Sequence, residues 1–172
     1  MAPALRAAPT CRSHYAHVMA MEIERKFLVT DGWSPPTDVE GKPIRQGYLT
    51  DNGSGTEVRV RAHGDRRLMT VKRSRAATGA AVRDEIEFPI PDDVFDDLWQ
   101  LTEGQRVIKT RYAIPIGPDT ATVDVYTDRD DAPPVVEVEF DSEDAAAAFQ
   151  PPAWFGPDVT GDGRYSNRRL AI

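Results

Sequence analysis

From Met21 onward, apolar and charged residues alternate in short runs separated by Gly, Pro, Asn and Asp. A period of two sends successive side chains to opposite faces of an extended chain, so the pattern predicts strands. Eight are expected, near residues 21–29, 44–50, 56–62, 68–73, 82–90, 105–113, 120–127 and 134–140. Turn sequences such as Asp51-Asn52-Gly53, Gly64-Asp65 and Gly117-Pro118-Asp119 divide them. Many short strands with tight turns point to an antiparallel barrel or sandwich.

Helices are fewer. Between Pro91 and Trp99, Val94, Phe95, Leu98 and Trp99 fall on one face, and Asp92 and Asp93 occupy the first turn, where the helix dipole favours acids. Ser142, followed by Glu143, Asp144 and four alanines, caps a second helix that Pro151 and Pro152 end. A short third helix is expected near 164–171. The fold class is therefore mainly β (α+β), a single domain over residues 21–172 with no linker to divide it. Residues 1–20 carry six alanines, Arg6 and Arg12, no acid and no apolar period, so they read as a disordered or mis-called leader. Met19 and Met21 are alternative starts.

The polar side of the strands is almost entirely charge. Glu22, Glu24 and Lys26 share one face of the first strand, with Ile23 and Phe27 on the other. Glu57, Arg59 and Arg61 alternate with Val58 and Val60; Lys72, Glu85, Glu87, Lys109, Arg111, Asp124, Glu137 and Glu139 continue the stripe. Same-face neighbours lie roughly 6.5–7 Å apart, so each Glu-x-Glu pair repels itself by about 0.6 kcal/mol in water and about 2.4 kcal/mol at an effective dielectric of 20. Three such pairs invite a cation. Arg59/Arg61 and Lys109/Arg111 repeat the arrangement with positive charge and need an anion. A polyphosphate with a divalent metal satisfies both. Closing the strands would turn these faces inward and leave Ile23, Val58, Val60, Val71, Ile86, Val123 and Val125 to pack beneath the helices, the reverse of an ordinary barrel.

Composition narrows the chemistry. Among 172 residues there are three histidines and one cysteine, and His14, His17 and Cys11 all fall in the leader. That excludes a disulfide framework, a His/Cys zinc site and a cysteine nucleophile from the body. His63 stands in a turn sequence and reads as a surface histidine. The net charge is -7 for the whole chain. The leader contributes only Arg6 and Arg12, so the body is more acidic still, which disfavours nucleic acid as a partner. No stretch approaches the roughly 18 apolar residues of a membrane helix, and a soluble, cytoplasmic protein is expected. No G-x-x-x-x-G-K-[ST] loop occurs, which excludes a P-loop NTPase.

Glu22-Ile23-Glu24-Arg25-Lys26 resembles the Glu-x-Glu-x-Lys signature of the CYTH superfamily, the triphosphate tunnel metalloenzymes. Glu57-Val58-Arg59-Val60-Arg61, Thr70-Val71-Lys72, Glu85-Ile86-Glu87, Lys109-Thr110-Arg111-Tyr112, Val123-Asp124-Val125 and Val135 through Phe140 follow in the family's order. Ile44 through Leu49 and the ending Arg164-Tyr165-Ser166-Asn167 are similar to the small bacterial branch, whose characterised members are mainly inorganic triphosphatases. The resemblance implies an eight-stranded antiparallel β-barrel forming a tunnel with a charged interior.

By position, the resemblance assigns phosphate binding to Lys26, Arg59, Arg61, Lys72, Lys109 and Arg111, and the metal to Glu22, Glu24, Glu137 and Glu139, with Asp124 a further candidate. Glu24, Lys26, Lys109 and Arg111 form the expected catalytic group. Glu85 and Glu87 fit a second metal or salt bridges that position the cations, and the salt bridges are favoured. Glu57 is read as an internal partner of a cation. The implied cofactor is Mg2+ or Mn2+, and the implied reaction is hydrolysis of the terminal phosphoanhydride of tripolyphosphate by an in-line water. A second metal or one of the glutamates would orient that water. Alternatives that share the tunnel are a thiamine, nucleoside or RNA triphosphatase, a class IV-type adenylate cyclase, and a non-catalytic sensor. The expected partner is a small triphosphate, with no membrane and no nucleic acid, for a monomer or homodimer.

Overall fold

In the computed structural model, which describes residues 23–51, 55–74 and 83–171, the alternating segments are strands. They are β1 (Ile23–Val29), β2 (Lys42–Tyr48), β3 (Thr56–His63), β4 (Arg66–Ser74), β5 (Arg83–Pro89), β6 (Arg106–Ile116), β7 (Asp119–Tyr126) and β8 (Val135–Phe140). A ninth strand, β9 (Phe155–Asp158), carries no alternation that would announce it. It forms because β1 recruits it, pairing Val29 with Phe155 and Phe27 with Asp158 across a register shift. Gly156 makes the approach possible: a Cβ there would lie 2.9 Å from the Val29 carbonyl oxygen.

All nine strands belong to one antiparallel sheet in the order β5-β4-β3-β2-β6-β7-β8-β1-β9. Among the described residues the hydrogen bonding therefore does not close into the expected eight-stranded ring, and β5 and β9 are left as edges. The sheet nonetheless wraps far enough for side chains of β5 and β1 to line one cavity, consistent with the strong coiling of twisted antiparallel sheets. The tunnel architecture survives with an open seam.

Outside the wrap lies the apolar face. Phe27, Ile114, Ala121, Val123, Val136, Val138 and Phe155 form its larger cluster, flanked by Phe149 and Trp154. Helix α2 (Glu143–Ala148), capped by the Ser142 hydroxyl on the Ala145 amide, follows β8. Helix α1 (Asp92–Gln100) buries Phe95 and Trp99 against Val60. Arg45 and Arg106 lie over the Trp99 ring at 4.6 and 4.5 Å, so both pack on this outer face. Of the residues expected there, Val60 and Val123 are fully buried, while Ile86 on edge strand β5 is 42% exposed.

A third cluster lies inside. Val107, Tyr126 and Val135, with Leu28, share the inward parity of the charged stripe and pack with Tyr165, Leu170 and Ala171. Those last residues belong to the C-terminal segment, a 3-10 turn (Gly163–Tyr165) followed by α3 (Asn167–Leu170). The segment closes one end of the interior. Among the described residues no helix is long and apolar enough to cross a membrane.

The seam between β2 and α1 is tight. A Cβ on Gly47 would lie 2.4 Å from the Thr102 hydroxyl, which donates to the Trp99 carbonyl at 2.8 Å and accepts from Arg106 at 3.0 Å. Gly47→Val is predicted to destabilise by about 1–3 kcal/mol. Thermal melts should then show a Tm lower by roughly 2–12 °C, and an unchanged Tm would contradict this contact.

Candidate active site

Strand register brings the charged stripe together. Glu24 pairs with Glu139 and Lys26 with Glu137 across β1 and β8. Glu57 faces Lys72, Lys72 faces Glu85, and Arg111 faces Asp124. The side chains of Glu24, Lys26, Glu57, Arg59, Arg61, Lys72, Glu85, Glu87, Arg111, Glu137 and Glu139 line one cavity of about 300 Å³. Lys109 and Asp124 lie buried in its floor, each 1% exposed. Glu22, the first residue of the signature, lies outside the described residues.

Carboxylates position the cations. Lys26 Nζ is 2.9 Å from Glu137 and 3.8 Å from Glu24. Glu85 holds Lys72 at 2.6 Å and Arg59 at 3.6 Å, and Glu57 lies 3.9 Å from Arg59. Glu87 accepts from the Thr70 hydroxyl at 2.9 Å. In the floor, Asp124 accepts from Lys109 at 2.5 Å and from Arg111 twice at 2.7 Å. Three charged donors on one carboxylate make Asp124 an internal counter-charge.

The electrostatics follow from burial and these contacts. Burial alone would raise the Asp124 pKa, but Lys109 and Arg111 outweigh it and hold the group at about 2. Burial pushes Lys109 down to about 8, with Asp124 opposing and Arg111 reinforcing the shift. Lys26 is buried too, yet Glu137 more than offsets that cost and its pKa rises. Glu137 itself is lowered: burial raises it, and Lys26, Lys109 and Arg111 prevail. Arg61 falls to about 10, first through burial and then through Arg59 and Arg111.

Two features ask for an anion. Among the described residues no carboxylate pairs with Arg61, whose Nε donates to Gln46 at 2.9 Å. The Nε of Arg59 is buried without any hydrogen-bond partner. An unsatisfied buried donor on a cation is costly, and phosphate oxygens are suited to supply what is missing.

The acids suit a hard cation. Glu24 and Glu139 stand directly opposite one another, a like-charge cross-strand pair that is destabilising without an intervening positive charge. Among the described residues no three metal-binding side chains converge into a cage. One or two carboxylates completed by substrate oxygens is how Mg2+ is commonly held, so the residues present fit such an ion.

Several lining residues escape sequence reasoning. Gln46 and Tyr48 share the inward parity of β2, and the Tyr48 hydroxyl accepts from Gln46 at 2.6 Å. Their alternation was visible, but neither is charged. Ser166, Asn167 and Arg168 enter from the C-terminal segment, where no strand period signals them. Asn167 accepts from Lys109 at 2.8 Å and from the Tyr126 hydroxyl at 3.1 Å. His63, read as a surface histidine, is partly exposed at the end of β3 and lines a second cavity with Lys42 and Arg111. Trp33 and Trp154 stack on each other at 5.9 Å and pack on the outer cluster.

A model of the CYTH domain matches residues 20–150. The chain belongs to the CYTH family. An inorganic triphosphatase of Nitrosomonas europaea is 45% identical to this CYTH protein over 153 residues, covering 88% of this chain and 97% of that protein. A second inorganic triphosphatase, from Acetivibrio thermocellus, is 34% identical over 153 residues, covering 88% and 94%. The crystal structure of an inorganic triphosphatase superposes with a TM-score of 0.68 at 43% identity, covering 89% of this chain and 95% of the other.

The floor triad sets a pH dependence. Asp124 has a folded pKa of about 2 against an ordinary 3.8. Its contribution is therefore complete above 3.8 and lost as pH falls through 2, by roughly 2 kcal/mol. Asp124→Asn leaves two buried cations without their carboxylate and should cost about 3–5 kcal/mol at neutral pH. Denaturant unfolding of both proteins at pH 7, and of wild type from pH 4 down to pH 2, checks both, and a variant as stable as wild type at pH 7 would contradict the triad.

Proposed function

We propose that this CYTH protein is a metal-dependent inorganic triphosphatase of the cytoplasm, hydrolysing the terminal phosphoanhydride of tripolyphosphate to phosphate and pyrophosphate. The observation that carries the reading is the pair of arginines, Arg59 with an orphaned Nε and Arg61 without a carboxylate, inside a cavity where Lys26, Lys72 and Arg111 are matched to carboxylates. The similarity to two inorganic triphosphatases over 88% of the chain supports it.

Lys26, Arg59, Arg61, Lys72 and Arg111 grip the phosphates from four strands, and Glu85 and Glu137 hold four of these cations in place before substrate arrives. Fixed charges of this kind cost little reorganisation as negative charge spreads over the transferring phosphoryl group. Lys109 places further positive potential beneath the phosphates while Asp124 keeps it and Arg111 in register. Glu24 and Glu139, with Glu22, are the residues to hold Mg2+ or Mn2+. Such an ion would neutralise phosphate charge and lower the pKa of a bound water. Among the described residues no His or Cys lines the cavity, in keeping with direct attack by water.

We assign the activity to residues 21–172. Deleting residues 1–20 should leave turnover unchanged, and loss of activity would place the leader within the working domain.

The decisive assay offers tripolyphosphate, ATP and thiamine triphosphate with Mg2+ or Mn2+ and resolves every product, with Glu24→Ala as control. Phosphate and pyrophosphate from tripolyphosphate, little turnover of the other two, and no turnover by Glu24→Ala are expected. Cyclic AMP and pyrophosphate from ATP, or tight binding of tripolyphosphate without hydrolysis, would overturn the assignment.

A further inference from the structure

The C-terminal segment does more than close one end of the tunnel. Arg168 lines the cavity beside the end of β2, and two contacts fix it. One guanidinium nitrogen donates to the Thr50 carbonyl, and the group lies over the Tyr48 ring at 4.7 Å. Stacking on a ring covers one face of a guanidinium and leaves in-plane donors available for a pair of phosphate oxygens.

Its charge is unmatched. Lys26, Arg59, Lys72 and Arg111 each have a carboxylate within 4 Å. Among the described residues none pairs with Arg168. Arg61 shares that condition, and the two are connected: Arg61 donates to Gln46, Gln46 donates to the Tyr48 hydroxyl, and the Tyr48 ring lies under Arg168. Gln46 and Tyr48 are almost fully buried, so the relay holds both arginines at the cavity wall. Next to Arg168, Asn167 anchors the segment to Lys109 and Tyr126.

We propose that Arg168 is a phosphate-contacting residue of this site, delivered by the C-terminal segment and paired in function with Arg61. The inference rests on the triphosphate reading and adds to it a cation outside the strand motifs. It also assigns a role to the C-terminal segment that packing alone does not require.

The test uses the full chain as wild type, Arg168→Ala, Arg168→Lys and Arg169→Ala, with Tm recorded for each. Arg169 is the neighbouring exposed arginine and serves as control. Calorimetric binding of tripolyphosphate and its KM are both read. Arg168→Ala should weaken binding and raise KM by roughly 10- to 100-fold, as expected for loss of a hydrogen bond to a charged group, while Arg169→Ala matches wild type. Arg168→Lys should recover part of the loss, since it keeps the charge but not the fork. If Arg168→Ala melts too low to assay, Arg168→Lys decides, and wild-type affinity in that variant overturns the proposal. Wild type that binds tripolyphosphate while Arg168→Ala equals Arg169→Ala overturns this assignment alone. Wild type that does not bind overturns the triphosphate reading and this assignment with it.

Discussion

Two cations and one carboxylate held out of water in the cavity floor constrain most of what surrounds them. Lys109 and Asp124 are each 1% exposed, and Arg111 joins them with two hydrogen bonds. Removing either sign would strand the other, so the pairing of β6 with β7 and the inward facing of both strands are fixed together. From that floor the remaining cations radiate on neighbouring strands: Lys26 and Lys72 are steered by a carboxylate of the adjacent strand and Arg59 by Glu85 two strands away. The cavity is thus preorganised by pairs it does not hand over to substrate, while Arg59 and Arg61 retain donors for a ligand.

Turning charge inward forces the apolar residues out. Phe27, Val123, Val136 and Val138 on one side and Val60 on the other must then be covered, which is the work of β9, the segment around α2, and α1. The sheet needs no closed hydrogen-bond ring for this, because the outer clusters and the inner plug of Val107, Tyr126 and Val135 with the C-terminal segment hold its curvature. Among the described residues an open seam between β5 and β9 follows, and the charges stay enclosed without closure.

Much of this was legible in the sequence because a strict period of two assigns faces without knowledge of pairing. Glu24, Lys26, Arg59, Arg61, Lys72, Arg111 and Glu137 share a wall for that reason. What alternation does not reveal is partner choice. That Asp124 serves Lys109 and Arg111, and that Glu85 serves Lys72 and Arg59, depends on register between strands distant in sequence. β9 was hidden because four residues containing Pro157 carry no period, and Gly156 matters only against Val29. Gln46, Tyr48 and Asn167 stood inside the quoted motifs without an assigned role and Arg168 was missed, on related grounds: the first two are uncharged members of a charged row, and the last two reach the cavity through tertiary packing.

The central claim is that the inward cations form one site short of an anion. Thermal unfolding with tripolyphosphate in the absence of metal tests it most directly, for wild type and Arg61→Ala. At about a hundred times its dissociation constant a single bound ligand stabilises by about 2.7 kcal/mol, which for a chain of this size is a rise of roughly 5–11 °C in Tm. The account predicts that rise for wild type, with one ligand per chain and most of it absent in Arg61→Ala. An unchanged Tm for wild type, or an equal rise in both proteins, would contradict it.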